Sequence, residues 1–189
     1  IFDTRGLPKS KAAQKRWEAS MDRYKNCQIG VVVECEDGYV VNSSSDYGLA
    51  QAFTPDGEQI ERWTGEGDHF GNFLAAVESG RREDLAADVL EAHVSAALCP
   101  TGRVSQRWGE KRTASEITSA VAGNPLLEQF VGNMLEHLRA NEIDVDHPVV
   151  TLGPSLDFDP ASERFTNSDA ANRYVRREDR QPFVVPQIA

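Results

Sequence analysis

Two apolar rhythms divide this chain. In the first third, apolar residues come in short β-branched runs between turn residues. Gln28 to Cys35 (QIGVVVEC) reads as a strand, and Tyr39 to Asn42 reads as its returning partner. Asp37-Gly38 between them is a hairpin signal, because the central positions of a tight turn call for positive φ. Leu49 to Phe53 and Glu58 to Trp63 form a second hairpin across Thr54-Pro55-Asp56-Gly57, where proline presets φ and glycine tolerates the last position. Four short strands with tight turns predict antiparallel pairing, with one face open to a layer of helices. Ile1 to Leu7 reads as the end of another strand. Lys9 to Arg23, with Trp17 and Met21 spaced i, i+4, reads as a short exposed helix or an ordered loop.

From Asp68 the period changes to that of a helix. Phe70, Phe73, Leu74 and Val77 make one stripe, Asp68 is placed to cap the first turn, and Gly80 suits a left-handed end. A second helix is expected from near Ala86. Leu90, Val94, Ala97 and Leu98 form its stripe, widened by Val89, Ala92 and Ala96, which predicts cover on more than one side. Thr113-Ala114-Ser115-Glu116 matches a capping box for a helix to about Ala122. Asn124-Pro125 starts another, striped by Leu127, Phe130, Val131, Met134, Leu135 and Leu138 and ending near Asn141. Glu142 to Pro160 is acidic and irregular, with a short extended piece at Val149–Leu152. Ser168 to Arg176 reads as a small helix, and the apolar tail Gln181 to Ala189 as docked. The fold class predicted is α+β: an open, mainly antiparallel sheet with helices packed on one face and no Rossmann domain. Residues 1–110 would hold the sheet and two central helices, and 111–189 a helical extension and tail of the same domain.

Composition narrows the function classes. With 20 Lys+Arg against 30 Asp+Glu the net charge is −10, which argues against a phosphate-backbone partner. No apolar run is long enough to span a bilayer. Cys27, Cys35 and Cys99 make neither a disulfide framework nor a CxxC metal site. The four histidines, His69, His93, His137 and His147, show no HxxxH or HExxH spacing, so no metal is expected. His93 lies on the Leu90–Val94–Ala97 stripe and reads first as a core histidine. Its sharper reading is a group lining a cavity. A hydrolase using the acidic surface, to be tested by replacing His93 and Asp88, is the weakest of the function classes considered. His69 reads as a first-turn residue, Trp63 as a strand-end aromatic of the core, and Arg103, Arg107 and Lys111 as a solvated face. His93, Arg103 and His69 are the candidates to line a cleft. Ser43-Ser44-Ser45-Asp46 lacks a GxSxG elbow, and Gly65-Glu66-Gly67 lacks the GxGxxG context of a dinucleotide fold. No catalytic or cofactor-binding residue is assigned.

Two runs, read in order, resemble a known family. Asp68-His69-Phe70-x-x-Phe73-x-x-Ala76-Val77-x-Ser79-Gly80 and Ala87-Asp88-Val89-Leu90-Glu91-Ala92-His93-Val94-Ser95-Ala96-Ala97-Leu98-Cys99 resemble the C-terminal domain of the glucose–fructose oxidoreductase/inositol dehydrogenase (Gfo/Idh/MocA) family. Arg5-Gly6-Leu7-Pro8, Gly38-Tyr39-Val40 and Arg180-Gln181-Pro182-Phe183-Val184-Val185-Pro186 extend the likeness nearly end to end, toward the long bacterial branch common in planctomycete-type genomes. The resemblance implies a parent oxidoreductase of sugar or polyol-like substrates. Its N-terminal Rossmann domain would bind NAD or NADP, and this domain would close over substrate and join subunits through the sheet face. It also implies that the catalytic lysine of the family's E-K-P motif and its aspartate–histidine pair lie upstream of Ile1. The chain opens in what reads as a strand in progress and is expected to continue upstream, where any address, twin-arginine or none, would decide between periplasm and cytoplasm. One departure stands out. Relatives read His-Leu-Gly-Asn after the cysteine, where this chain has Pro100-Thr101-Gly102-Arg103, and Pro100 cannot donate to the Ala96 carbonyl. The competing reading is a non-enzymatic binding or assembly module derived from the same fold.

Overall fold

A strand points successive side chains to opposite faces, so the register of the first four strands decides what is covered. The computed structural model describes residues 1, 3–14, 21–43, 48–65, 67–176 and 179–184. Trp17, Ser44 to Asp46, Glu66, Val185 and Ile188 lie outside the described residues. The chain forms two compact units, residues 1–89 with 132–144, and residues 90–131 with 145–189. In order the elements are α1 (Lys11–Gln14), β1 (Gly30–Cys35), β2 (Gly38–Ser43), β3 (Leu49–Phe53), β4 (Gln59–Thr64), α2 (His69–Ser79), a 3-10 turn (Arg82–Asp84), α3 (Val89–Arg107), β5 (Glu110–Arg112), α4 (Ala114–Ala120), α5 (Pro125–Ala140), β6 (Val150–Leu152), β7 (Phe158–Asp159), β8 (Arg164–Phe165) and α6 (Asp169–Asn172). The protein is thus α+β. No described helix is long and apolar enough to cross a membrane.

The first unit is built on a meander in the order β1-β2-β3-β4, antiparallel throughout. Val32 pairs with Val41 and Val41 with Gln51; Glu34 pairs with Tyr39 and Tyr39 with Phe53. These residues share one face. Tyr39 and Val41 are only 7% and 6% exposed there, packed with Cys27, Val32 and Phe53. The Tyr39 and Phe53 rings stack at 5.1 Å. Their cover is a tight turn the sequence analysis did not foresee. Tyr24 and Cys27 exchange both backbone hydrogen bonds (2.9 and 2.8 Å) around Lys25 and Asn26, whose φ values of 46° and 63° fit a type I′ turn. The turn is clipped to the sheet by Glu34, which accepts from the Tyr24 hydroxyl (2.7 Å) and the Lys25 ammonium (2.5 Å). That ammonium also sits 4.0 Å over the Tyr39 ring. The opposite sheet face carries Val31, Val33, Val40, Ala50, Ala52 and Trp63. It is apolar and open: Val31, Val33 and Trp63 are 60%, 51% and 51% exposed.

A polar knot closes the same unit. Asn141, buried, donates to the carbonyls of Pro8 and His137, both at 2.9 Å. Asp22 lies between the Arg5 guanidinium (3.4 Å) and His137 Nδ1 (3.3 Å). In the second unit Val104, Phe165 and Ala171 form the core with Leu156 and Phe158. β5 pairs with β6 and β7 with β8. The Asn172 amide imitates a strand partner: it accepts from Phe165 N–H and donates to Phe165 C=O, both at 2.8 Å.

The local signals hold. Asp68 accepts from the Gly71 amide at 2.8 Å, Gly80 ends α2 at φ 67°, Thr113 and Glu116 form the full capping box, and Asn124 accepts from the Leu127 amide at 3.1 Å. Several expectations are corrected. Among the described residues Asp3 to Leu7 forms no strand; Arg5 is instead held by Asp3 and Asp22. The first hairpin turns on Glu36-Asp37, neither at positive φ, and Gly38 opens β2 because a Cβ there would lie 2.1 Å from the Phe53 carbonyl oxygen. Phe70, Phe73, Leu74 and Val77 of α2 are exposed, as is Trp63. α3 begins at Val89, not near Ala86, and Leu90, Val94 and Leu98 on its expected covered stripe are exposed. Phe183 and Val184 of the tail are exposed rather than docked. Sequence periodicity reports that a face is apolar; it does not report what covers it.

Two outcomes follow. Gly38→Ala will lower unfolding free energy by more than about 1 kcal/mol, since the strained site cannot accept a Cβ. Gly132→Ala, in open space on α5, will raise it by up to about 1 kcal/mol. Urea denaturation reads both, and a neutral Gly38→Ala would remove the close-approach argument. The second concerns pH. Burial, then the hydrogen bond to Glu34, pushes Tyr24 up to about 12. Burial pushes Glu34 up as well, but hydrogen bonds from Lys25 and Tyr24 outweigh it and hold the carboxyl below its ordinary value. Stability from Glu34 is therefore present above its unfolded value and lost as pH falls through the depressed one. Stability from Tyr24 is lost as pH rises through about 12. In Glu34→Gln, ultraviolet titration will show the Tyr24 transition moved down, with the burial contribution remaining.

Candidate functional site

Helix α3 brings one row of side chains to the inside of the second unit. His93, Ala97, Thr101 and Val104 follow at i, i+4, i+8 and i+11, a single helical stripe. The inward stripe shares Ala97 with the Leu90–Val94–Ala97–Leu98 stripe expected from apolarity alone and is turned from it by roughly 50°. Pro100 lies within the helix, which continues past it. The Thr101 hydroxyl donates to the Ala97 and Leu98 carbonyls at 3.0 and 2.8 Å, one turn back.

Opposite the stripe stands the β7–β8 hairpin. Its loop is held by Asp159, which accepts from the Ser162 hydroxyl (2.5 Å) and the amides of Ala161 (3.1 Å) and Ser162 (3.3 Å). The Ser162 hydroxyl first, then the Ala161 amide, hold the Asp159 carboxyl below its ordinary value. The next residue, Glu163, has φ 52°, a left-handed conformation that costs a side-chain-bearing residue roughly 1–2 kcal/mol. From that position its Oε1 reaches His93 Nε2 at 2.5 Å. Both side chains are about half exposed.

Between stripe and hairpin lies a cavity of about 390 Å³. Leu98, Val104, Phe158, Phe165, Tyr174 and Val175 supply most of its wall, and the His93–Glu163 pair stands at one side. Phe158 meets Phe165 edge to face at 5.3 Å. Tyr174 is fixed from behind by Trp108 (6.2 Å, edge-on) and by the Arg107 guanidinium 5.2 Å over its ring. Among the described residues no lysine or arginine lines the cavity.

The expected site residues separate. His93 lines this cavity and is not a core histidine. Arg103 is exposed on α3 and outside the cavity wall. His69 is the exposed first residue of α2, its ring 4.1 Å from that of Phe70. Asp88 pairs with Arg82 (2.5 Å) while His93 pairs with Glu163, so the two residues named for testing a hydrolase have separate partners. Among the described residues no three His, Cys, Asp or Glu converge as a metal-binding group. Glu163 and Tyr174 were missed. Glu163 meets His93 across 70 residues, a separation no local pattern encodes, although Asp159-Pro160 between two phenylalanines carries the turn signal of a hairpin. Compared with family models, with curated proteins and with solved structures, the chain matches none.

Substitution separates strain from pairing at Glu163. A half-exposed pair contributes at most about 1 kcal/mol, while glycine removes a left-handed cost of similar or larger size. Glu163→Gly is therefore expected to be at least as stable as the parent chain in urea, and Glu163→Ala to be less stable than Glu163→Gly. Equal stability of the alanine and glycine variants would show that the backbone conformation carries no cost.

Proposed function

We propose that this chain is the substrate-side and subunit-contact part of an NAD(P)-dependent oxidoreductase acting on a sugar or polyol-like substrate. The cofactor and the hydride chemistry belong, in this reading, to a Rossmann domain on preceding polypeptide. The observation that carries it is the open face of the β1–β4 meander. Val31, Val33, Val40 and Trp63 make that face apolar, and an apolar sheet face in water is a surface that a second copy covers. The ordered motifs from Asp68 to Gly80 and from Ala87 to Cys99 support the same reading. No catalytic residue is assigned to this chain. Pro100, standing where relatives carry histidine, alters the contact that residue would make.

The experiment is sedimentation of the chain as it stands, joined to calorimetry with NAD(H). A dimer is expected that becomes a monomer in Val31→Lys/Val33→Lys, with no cofactor binding at submillimolar concentration. A parent that stays monomeric at high concentration, or that binds cofactor, would contradict the assignment. The coding sequence ahead of Ile1 separates enzyme from assembly module: GxGxxG with a lysine before proline favours the enzyme, and the lack of both favours the module.

A further inference from the structure

The cavity between α3 and the β7–β8 hairpin is built for something other than a polyol. Its volume of about 390 Å³ falls within the range of small-molecule sites. A polyol needs polar partners on every side, and this wall is mainly hydrocarbon and aromatic ring. The Thr101 hydroxyl is committed to the Ala97 and Leu98 carbonyls. The polar capacity gathers instead at the His93–Glu163 pair, where Glu163 is held in a left-handed conformation that its side chain does not favour.

Charge narrows the ligand further. Among the described residues no lysine or arginine lines the wall, and the chain carries a net charge of −10, so an anionic ligand finds no such partner there. A cationic ligand would have to compete with His93 for the Glu163 carboxylate and with the Arg107 guanidinium, 5.2 Å over the Tyr174 ring. What remains is a neutral molecule with an apolar body and one hydrogen-bonding group. We propose that this cavity binds a small neutral aromatic or alicyclic alcohol, ring against Leu98, Phe158 and Phe165, hydroxyl on the His93–Glu163 pair. The site lies wholly within the unit of residues 90–131 and 145–189 and does not depend on the redox reading.

The test is ligand titration of the intact chain by NMR, following the ring resonances of His93 and Tyr174. Benzyl alcohol is the probe, with toluene, benzylamine, benzoate and myo-inositol as comparisons. Benzyl alcohol is expected to bind saturably at about 1 mM or tighter, the range open to so small a ligand. Toluene should bind about fivefold to tenfold more weakly, the worth of one hydrogen bond. Glu163→Gly should bring the alcohol down to the level of toluene and leave toluene unchanged. Ala97→Phe, which fills the cavity from α3, should abolish both. Equal affinity for toluene and benzyl alcohol, tighter binding of the amine or the acid, competition by myo-inositol, or no saturable shift at His93 and Tyr174 would each overturn the proposal.

Discussion

Period-two alternation in a four-stranded meander leaves no neutral choice of register. Once Tyr39 and Val41 point toward Cys27, their neighbours Val40 and Asn42 must point away, and cross-strand pairing carries Val31, Val33, Ala50 and Trp63 to the same outer side. A slip of one residue would bury the second set and expose the first. The type I′ turn at Lys25-Asn26 removes the ambiguity, because its ammonium, hydroxyl and thiol find their partners on one face only: Tyr39 and Glu34 for the polar groups, Val41 and Tyr39 for Cys27. The bare outer face is thus a consequence of satisfying the inner one.

The second unit solves a different problem. Its core is small, and its four described strands are each two or three residues long. Side chains take over where backbone ladders run out: Asn172 closes against Phe165, Asp159 ties its own loop, and the Ser105 hydroxyl reaches the Pro154 carbonyl at 2.7 Å. Such local clasps hold the hairpin at a fixed stand-off from α3. A hollow persists there because rings of this size, pinned from behind, cannot collapse into it.

What could be read from residues alone was what residues decide within a few positions. The Asp68 cap, the Gly80 end, the Thr113 box, the Asn124-Pro125 start and the four principal strands are all short-range bargains between a side chain and the nearest backbone. The two- and three-residue strands at Glu110–Arg112, Phe158–Asp159 and Arg164–Phe165 were not legible, because so few residues show no period. Nor was the orientation of α3. Its hydrophobic stripe and its inward stripe differ, since Thr101 and His93 face inward while Leu98 and Val94 stand at the rim. Glu163 was invisible for a plainer reason: its partner is 70 residues away.

Asn141 joins two places separated by 133 positions, reaching from the end of α5 to the carbonyl of Pro8. Closing so long a span costs entropy that grows with the logarithm of its length, and nothing local repays it in advance. The clasp therefore forms only after the meander and α5 exist to hold its ends near one another. Contacts between near neighbours, such as the hairpins and helix caps, carry no such cost; this one does.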